Sequence, residues 1–161
     1  MKIDLTRKEY RDLLDMLTIA DWVLNAHKAG TDPRTERYKK LEQKFFTFAK
    51  QMKYENLVEY SADHDRYFQT REYDESSAAR TFIVEYENDS FWEELISRLA
   101  ERDLARQLGG HDRIAALSPE ELFEKLGQLE EYYGDEFSHN GLENLQLRDQ
   151  KWLSQPGKTV H

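Results

Sequence analysis

Apolar and polar residues follow a helical period along most of this chain, and the densest apolar run lies near its start. From Leu13 to Leu24 only Asp15 and Asp21 carry charge. At about 100° per residue, Tyr10, Leu13, Leu14, Leu17, Ala20 and Leu24 share one broad face that Met16 and Val23 widen, with Ile19 and Trp22 outside it. A helix apolar on more than one side needs cover on more than one side, so the spacing places this helix at the centre of a bundle. Thr6 and Glu9 form a capping box at its start, Leu5 and Tyr10 a hydrophobic staple, and Ala29 and Gly30 mark its end.

A second start follows at once, with Asp32 as N-cap and Pro33 at the first helical position. Tyr38, Leu41, Phe45, Phe48, Ala49 and Met52 then recur at helical spacing to about Lys53, and the short link predicts an antiparallel helix pair. Beyond it, Leu57, Val58 and Tyr60 suit one short helical turn, residues 61–65 an exposed loop, and Tyr67 to Tyr73 an extended segment. Ala78, Ala79, Phe82, Ile83 and Tyr86 fit one helical face. Thr81 to Val84 also suits a strand, leaving a small hairpin over 67–86 as the alternative.

Ser90 with Glu93 is a further capping box, opening a helix that Gly109 and Gly110 end. A short element around Ile114 and Leu117 comes next. Ser118, Pro119 and Glu121 then start the cleanest stripe of the sequence, Leu122, Leu126, Leu129, Tyr133 and Phe137, which Gly141 closes. The expectation is a mainly α fold: a single-domain bundle of about five helices around the first one, over residues 1–142. Residues 143–161 have no period but hold Leu145, Leu147, Trp152 and Leu153, so they are expected to dock on the bundle or on a partner subunit.

Composition narrows the functional classes. A chain of 161 residues supports one well-buried core, and 34% charged residues give a heavily charged surface. There is no cysteine, which excludes disulfides, thiolate nucleophiles and cysteine-ligated metal. No run approaches a membrane span, and the polar start lacks a signal-peptide core, so the expected location is cytoplasmic and no membrane partner is expected. The net charge of −9 is uneven: residues 1–60 carry 12 Lys and Arg against 10 Asp and Glu, and residues 61–140 carry 8 against 20. Such an acidic body disfavours nucleic acid as a partner. Phosphate-loop, zinc-protease and nucleophile-elbow motifs are absent, and no cofactor is expected.

Four constellations carry candidate chemistry. Asp21 and His27 lie on or near the apolar face of the first helix, and past Leu99 Arg102, Asp103 and Arg106 take over the stripe of the fourth. Converging in a poorly solvated place, they would form a weak catalytic candidate set of Asp21, His27, Asp103 and Arg106. A buried ion-pair network is the preferred reading of the same residues.

Second, His27, then His64 beside Asp65, then Asp103 or Asp112 resembles in order the His, His-Asp, Asp ligands of the helical HD phosphohydrolases. The resemblance implies a divalent metal on His27, His64, Asp65 and Asp103, although His64 lies in what reads as a loop. Glu136 with His139 is a single Glu-x-x-His pair, where a bundle di-iron site needs two. Third, Phe46 points away from the Leu41 and Phe45 stripe among Lys39, Lys50 and Lys53, and with Trp152 these are the candidate partner-binding residues. Fourth, Gly127 and Gly134 lie one heptad apart beside Phe123, where close approach of another helix would compensate their cost. The expected function is non-enzymatic, through contact with a protein partner or a second copy. The alternative is a metal-dependent phosphohydrolase of the HD type.

Overall fold

The computed structural model describes residues 3–146 and is mainly helical. Among these residues there are six helices and one two-stranded sheet. The chain divides into two compact units, Met1–Asn88 and Asp89–His161.

The first unit opens with α1 (Arg7–Asn25), whose Thr6–Glu9 capping box forms in full. Only one side of α1 is well covered. Tyr10 and Leu14 are buried, but Met16 and Val23, expected to widen the buried face, are 67% and 62% exposed. The next helix starts later than expected. Asp32 instead braces the link, taking the amide of Arg34 at 2.9 Å and the ammonium of Lys28 at 2.8 Å. Helix α2 then runs Glu36–Phe46. Its path continues in tight turns to a Schellman closure, in which Tyr54 N–H reaches Ala49 O and Lys53 N–H reaches Lys50 O, with Lys53 left-handed at φ 60°.

The hairpin lies earlier than the alternative weighed for residues 67–86. Strand β1 (Val58–Ser61) pairs antiparallel with β2 (Arg66–Gln69), Val58 opposite Gln69 and Ser61 opposite Arg66. Of the residues expected to make a helical turn, Val58 and Tyr60 are therefore strand, and Leu57 is in the turn before it. Of the expected loop at 61–65, Ser61 belongs to β1 and residues 62–65 are the hairpin's connection, in which Asp65 takes the left-handed position at φ 49°. Helix α3 (Arg71–Ser76) follows, capped by the Thr70 hydroxyl. Tyr10, Leu14, Phe46, Ala49, Leu57, Val58 and Tyr73 form the core of this unit.

Helix α4 (Ala79–Leu108) runs unbroken through Ser90 and carries the chain from the first unit to the second. The separate helix expected at the Ser90–Glu93 capping box does not start there. No glycine or proline occurs between Ala78 and Leu108 to stop the preceding helix. The start signal is upstream, where Ser77 Oγ accepts the Ala79 amide at 3.0 Å. Gly109, at φ 84°, ends α4 with a Schellman pair of bonds, Gly110 N–H to Ala105 O and Gly109 N–H to Arg106 O. After the single turn α5 (His111–Ile114), helix α6 (Pro119–Asn140) begins with the complete Ser118–Glu121 capping box and stops at Gly141. Among the described residues of the second unit, Leu99, Ala100, Leu104 and Ala105 of α4 and Phe137 of α6 are the buried apolar ones, with Trp92 against Phe137 at 5.6 Å.

Candidate functional site

Helix α2 is turned relative to its own amphipathic pattern. Of the expected stripe Tyr38, Leu41, Phe45, Phe48, Ala49 and Met52, Ala49 is buried and Phe45 and Met52 are half-buried, but Tyr38, Leu41 and Phe48 are 43%, 47% and 41% exposed. Within α2 the buried residue is Phe46, one position on from Phe45 and about 100° around the helix, with Thr35 buried at the N-cap and Ala49 in the turns that follow. Phe46, proposed from the sequence as an outward partner-binding aromatic, is instead 3% exposed and part of the core. Packing decides the face. Gln43 pairs with the backbone of Tyr67 through both ends of its amide, at 2.8 and 3.0 Å, and holds α2 against β2 in this orientation.

This rotation draws a carboxylate inward. Glu42 is half-buried, and desolvation, reinforced by the nearby Asp21 charge, pushes its pKa up to about 7. Lys39 and Arg66 only partly oppose that shift. Asp21 is half-buried too and accepts a hydrogen bond from Asn25 Nδ2 at 2.7 Å. Asp21 and Glu42 together line three clefts. One, of about 270 Å³, also has Trp22, Tyr73 and Arg80 in its wall; another, of about 310 Å³, has Lys39, Lys40 and Arg66; the third is the gap between Leu17 and Leu41. Beside the first, Tyr73 donates to Asp15 Oδ1 at 2.7 Å and lies 2.7 Å from the Thr18 hydroxyl, which Gln69 also contacts. Burial raises the Tyr73 phenol to about 12, so it stays a neutral donor.

Between α1 and α2 the same rotation leaves an apolar groove open. Leu17, Ala20 and Leu24 face Tyr38 and Leu41 across a gap of about 60 Å³. Met16 and Val23 of α1 are exposed as well, and Ile3, Leu5, Phe45 and Phe48 line a second hollow near the start of α1. Arg37, whose guanidinium lies over the Tyr38 ring, and Lys44 are exposed and flank the stripe along α2.

The remaining candidates are dispersed. His27 is an exposed side chain 3.9 Å from Glu87, whose Oε1 also takes the Trp22 indole N–H at 2.9 Å. His64 and Asp65 sit in the hairpin connection, with Ser61 Oγ 3.1 Å from His64 Nδ1 and the Tyr60 hydroxyl on Asp65 at 2.5 Å. Asp103 belongs to the second unit, where Arg102 binds it through two nitrogens at 2.8 and 2.9 Å, Arg106 through one at 2.8 Å, and the Tyr133 hydroxyl donates as well. These donors hold its carboxyl well below the usual carboxylate range. Among the described residues no three His, Asp or Glu side chains are grouped so as to hold a metal ion. Glu136 takes the amides of Asn140 and Asn144, and His139 Nδ1 lies 2.7 Å from the Asp135 carbonyl. Lys50 and Lys53 are exposed and Lys39 is half-buried. Trp152 lies outside the described residues.

Sequence reasoning singled out Asp21 but missed Glu42 and the groove. Both follow from which face of α2 packs inward, and the count of apolar positions points to the other one. Comparison with protein-family models, with curated proteins and with solved structures finds no match to this chain.

Proposed function

We propose that the protein acts by binding another protein chain through the apolar surface of α1 and α2. The observation that carries this reading is the open gap in which Tyr38 and Leu41, 43% and 47% exposed, stand across from Leu17, Ala20 and Leu24. Single exposed apolar residues are ordinary, but a contiguous apolar groove with a polar rim is the usual mark of an interaction surface. Tyr38, Leu41 and Phe45 have the i, i+3, i+7 spacing by which a helix engages an apolar partner helix. Burying a large apolar side chain contributes about 1.5 to 3 kcal/mol, against which the loss of freedom on association is set.

The acid pair Asp21–Glu42 at the back of this groove fits an orienting role. A neutral Glu42 carboxyl can donate one hydrogen bond and costs less to cover than a charge. The test places a photo-crosslinking residue at Leu41 and, as control, at the exposed Arg71 of α3, in the native cell. The reading expects a discrete protein adduct from position 41 alone. Equal, diffuse labelling from both positions would end it.

A further inference from the structure

The rim charges say what kind of surface the groove accepts. Arg37 and Lys44, seven residues apart, make a basic edge outside the apolar stripe in a chain whose net charge is −9, while Asp21 and Glu42 lie between α1 and α2. A partner of matched chemistry is an apolar helix edge flanked by carboxylates. The described residues contain one. On α6, Phe123 is 82% exposed and shares an edge with Gly127 and Gly134, while Glu120, Glu124 and Glu131 line the adjoining strip, all three exposed. Nothing lies within 4 Å of where a Cβ would stand at either glycine, so a helix could approach this edge closely. The charge spacings agree: Arg37 and Lys44 are seven residues apart, as are Glu124 and Glu131, which is two turns or about 10 Å on each helix.

We infer that the groove of one copy receives the Phe123 edge of α6 from a second copy, with Glu124 and Glu131 set against the basic rim of α2. This rests on the reading of the groove as a protein-binding surface and names its occupant. Phe123 would seat between Leu17 and Leu41, and Gly127 and Gly134 would let the backbone of α6 come close enough for it to do so. The contact joins two different surfaces, so it is heterologous: each copy offers one groove and one edge, and association proceeds head to tail to a ring or a filament. Added salt weakens it, because the flanking pairs are exposed to solvent.

The experiment is sedimentation over a range of concentration and salt, with the full chain and two charge-reversed variants, Arg37→Glu/Lys44→Glu and Glu124→Lys/Glu131→Lys. All four side chains are exposed, and circular dichroism confirms that each variant folds. The wild type should associate, and each variant alone should lose at least about tenfold in association because like charges then meet at the contact. An equimolar mixture of the two variants should associate again, since the acidic groove of one then meets the basic edge of the other. Three results overturn the inference: a wild type that stays a single chain at every concentration, α6 variants that associate as well as the wild type, or a mixture that stays apart. If position 41 still crosslinks to a different protein in any of these cases, the groove remains a binding surface and only its occupant was wrong.

Discussion

Glu42 in the first unit and Asp103 in the second are both partly buried carboxylates on helices, and they sit in opposite electrostatic company. Asp103 has cations one residue before and three residues after it on the same helix, plus a phenol from α6, and every contact favours its charged form. Glu42 has a second carboxylate, Asp21, as a near neighbour, and water is partly excluded from both. Burial of an acid therefore does not fix its charge; its neighbours do. The second unit holds its acid as a fixed anion that ties α4 to α6. The first holds an acid close to its titration point beside an open apolar groove, where its state can respond to whatever covers it.

Replacing Glu42 tests the first half of that contrast and carries the largest expected effect. A pKa raised from 4.5 to about 7 means the folded protein keeps a proton that the unfolded chain releases over that interval. Stability is then highest below about 4.5 and declines as pH rises through 7. With allowance for partial solvation, the loss is on the order of 2 kcal/mol by pH of about 8. Glu42→Gln keeps size and hydrogen bonding but not the charge, so its denaturant midpoint should vary less with pH and exceed the wild type's in mild alkali. Parallel pH profiles for the two proteins would show that Glu42 is an ordinary wetted carboxylate.

Asp103 should behave with the reverse sign and a smaller amplitude. Its pKa is lowered from 3.8, so its contribution is present above that value and disappears as pH falls through the folded-state pKa. Asp103→Asn leaves two guanidiniums without their anion. The expected cost is about 1 to 2 kcal/mol near neutral pH, reduced by the access water has to the clamp. Hydrogen exchange should report the loosening in α6 and not in the β1–β2 hairpin. An equal effect on both would show that the clamp supports more than its own unit.

Legibility followed how local each signal is. The capping boxes at Thr6 and Ser118 and the glycine stops at Gly109 and Gly141 are written in a few adjacent residues, and each appears where the sequence places it. The helical character of the chain came from periodicity in the same way. The inward face of α2 is not local. It depends on Gln43 meeting the Tyr67 backbone 24 residues away and on Phe46 and Ala49 joining Tyr73 in one core. A count of apolar residues chose the face that stays open. That error hid Glu42, placed Phe46 outside and left the groove unseen. The candidate ligands His27, His64, Asp65 and Asp103 had only chain order in common, and order says nothing of convergence. The hairpin was missed because Val58 to Ser61 is too short for its period to separate strand from helical turn.

The smallest effect belongs to Ser90, and it separates two copies of one motif. Ser118 and Ser90 are each followed three residues later by Glu, yet only Ser118 caps a helix. Ser118 has Pro119 after it and the Gly109–Gly110 break upstream, so the chain has already left one helix and is set up to begin another. Ser90 is preceded by an unbroken run of residues that a helix accepts, and continuing costs less than stopping and renucleating. Ser118→Ala should therefore cost about 1 kcal/mol, as the loss of an N-cap does. Ser90→Ala should cost nothing and gain up to about 0.5 kcal/mol, because alanine is the better residue in a helix interior. Thermal unfolding of the two variants side by side checks this, with amide exchange at Phe91 and Trp92 as a local readout. A loss of a full cap's worth at Ser90, with faster exchange at those two amides, would mean that α4 is two helices meeting at the boundary between the units.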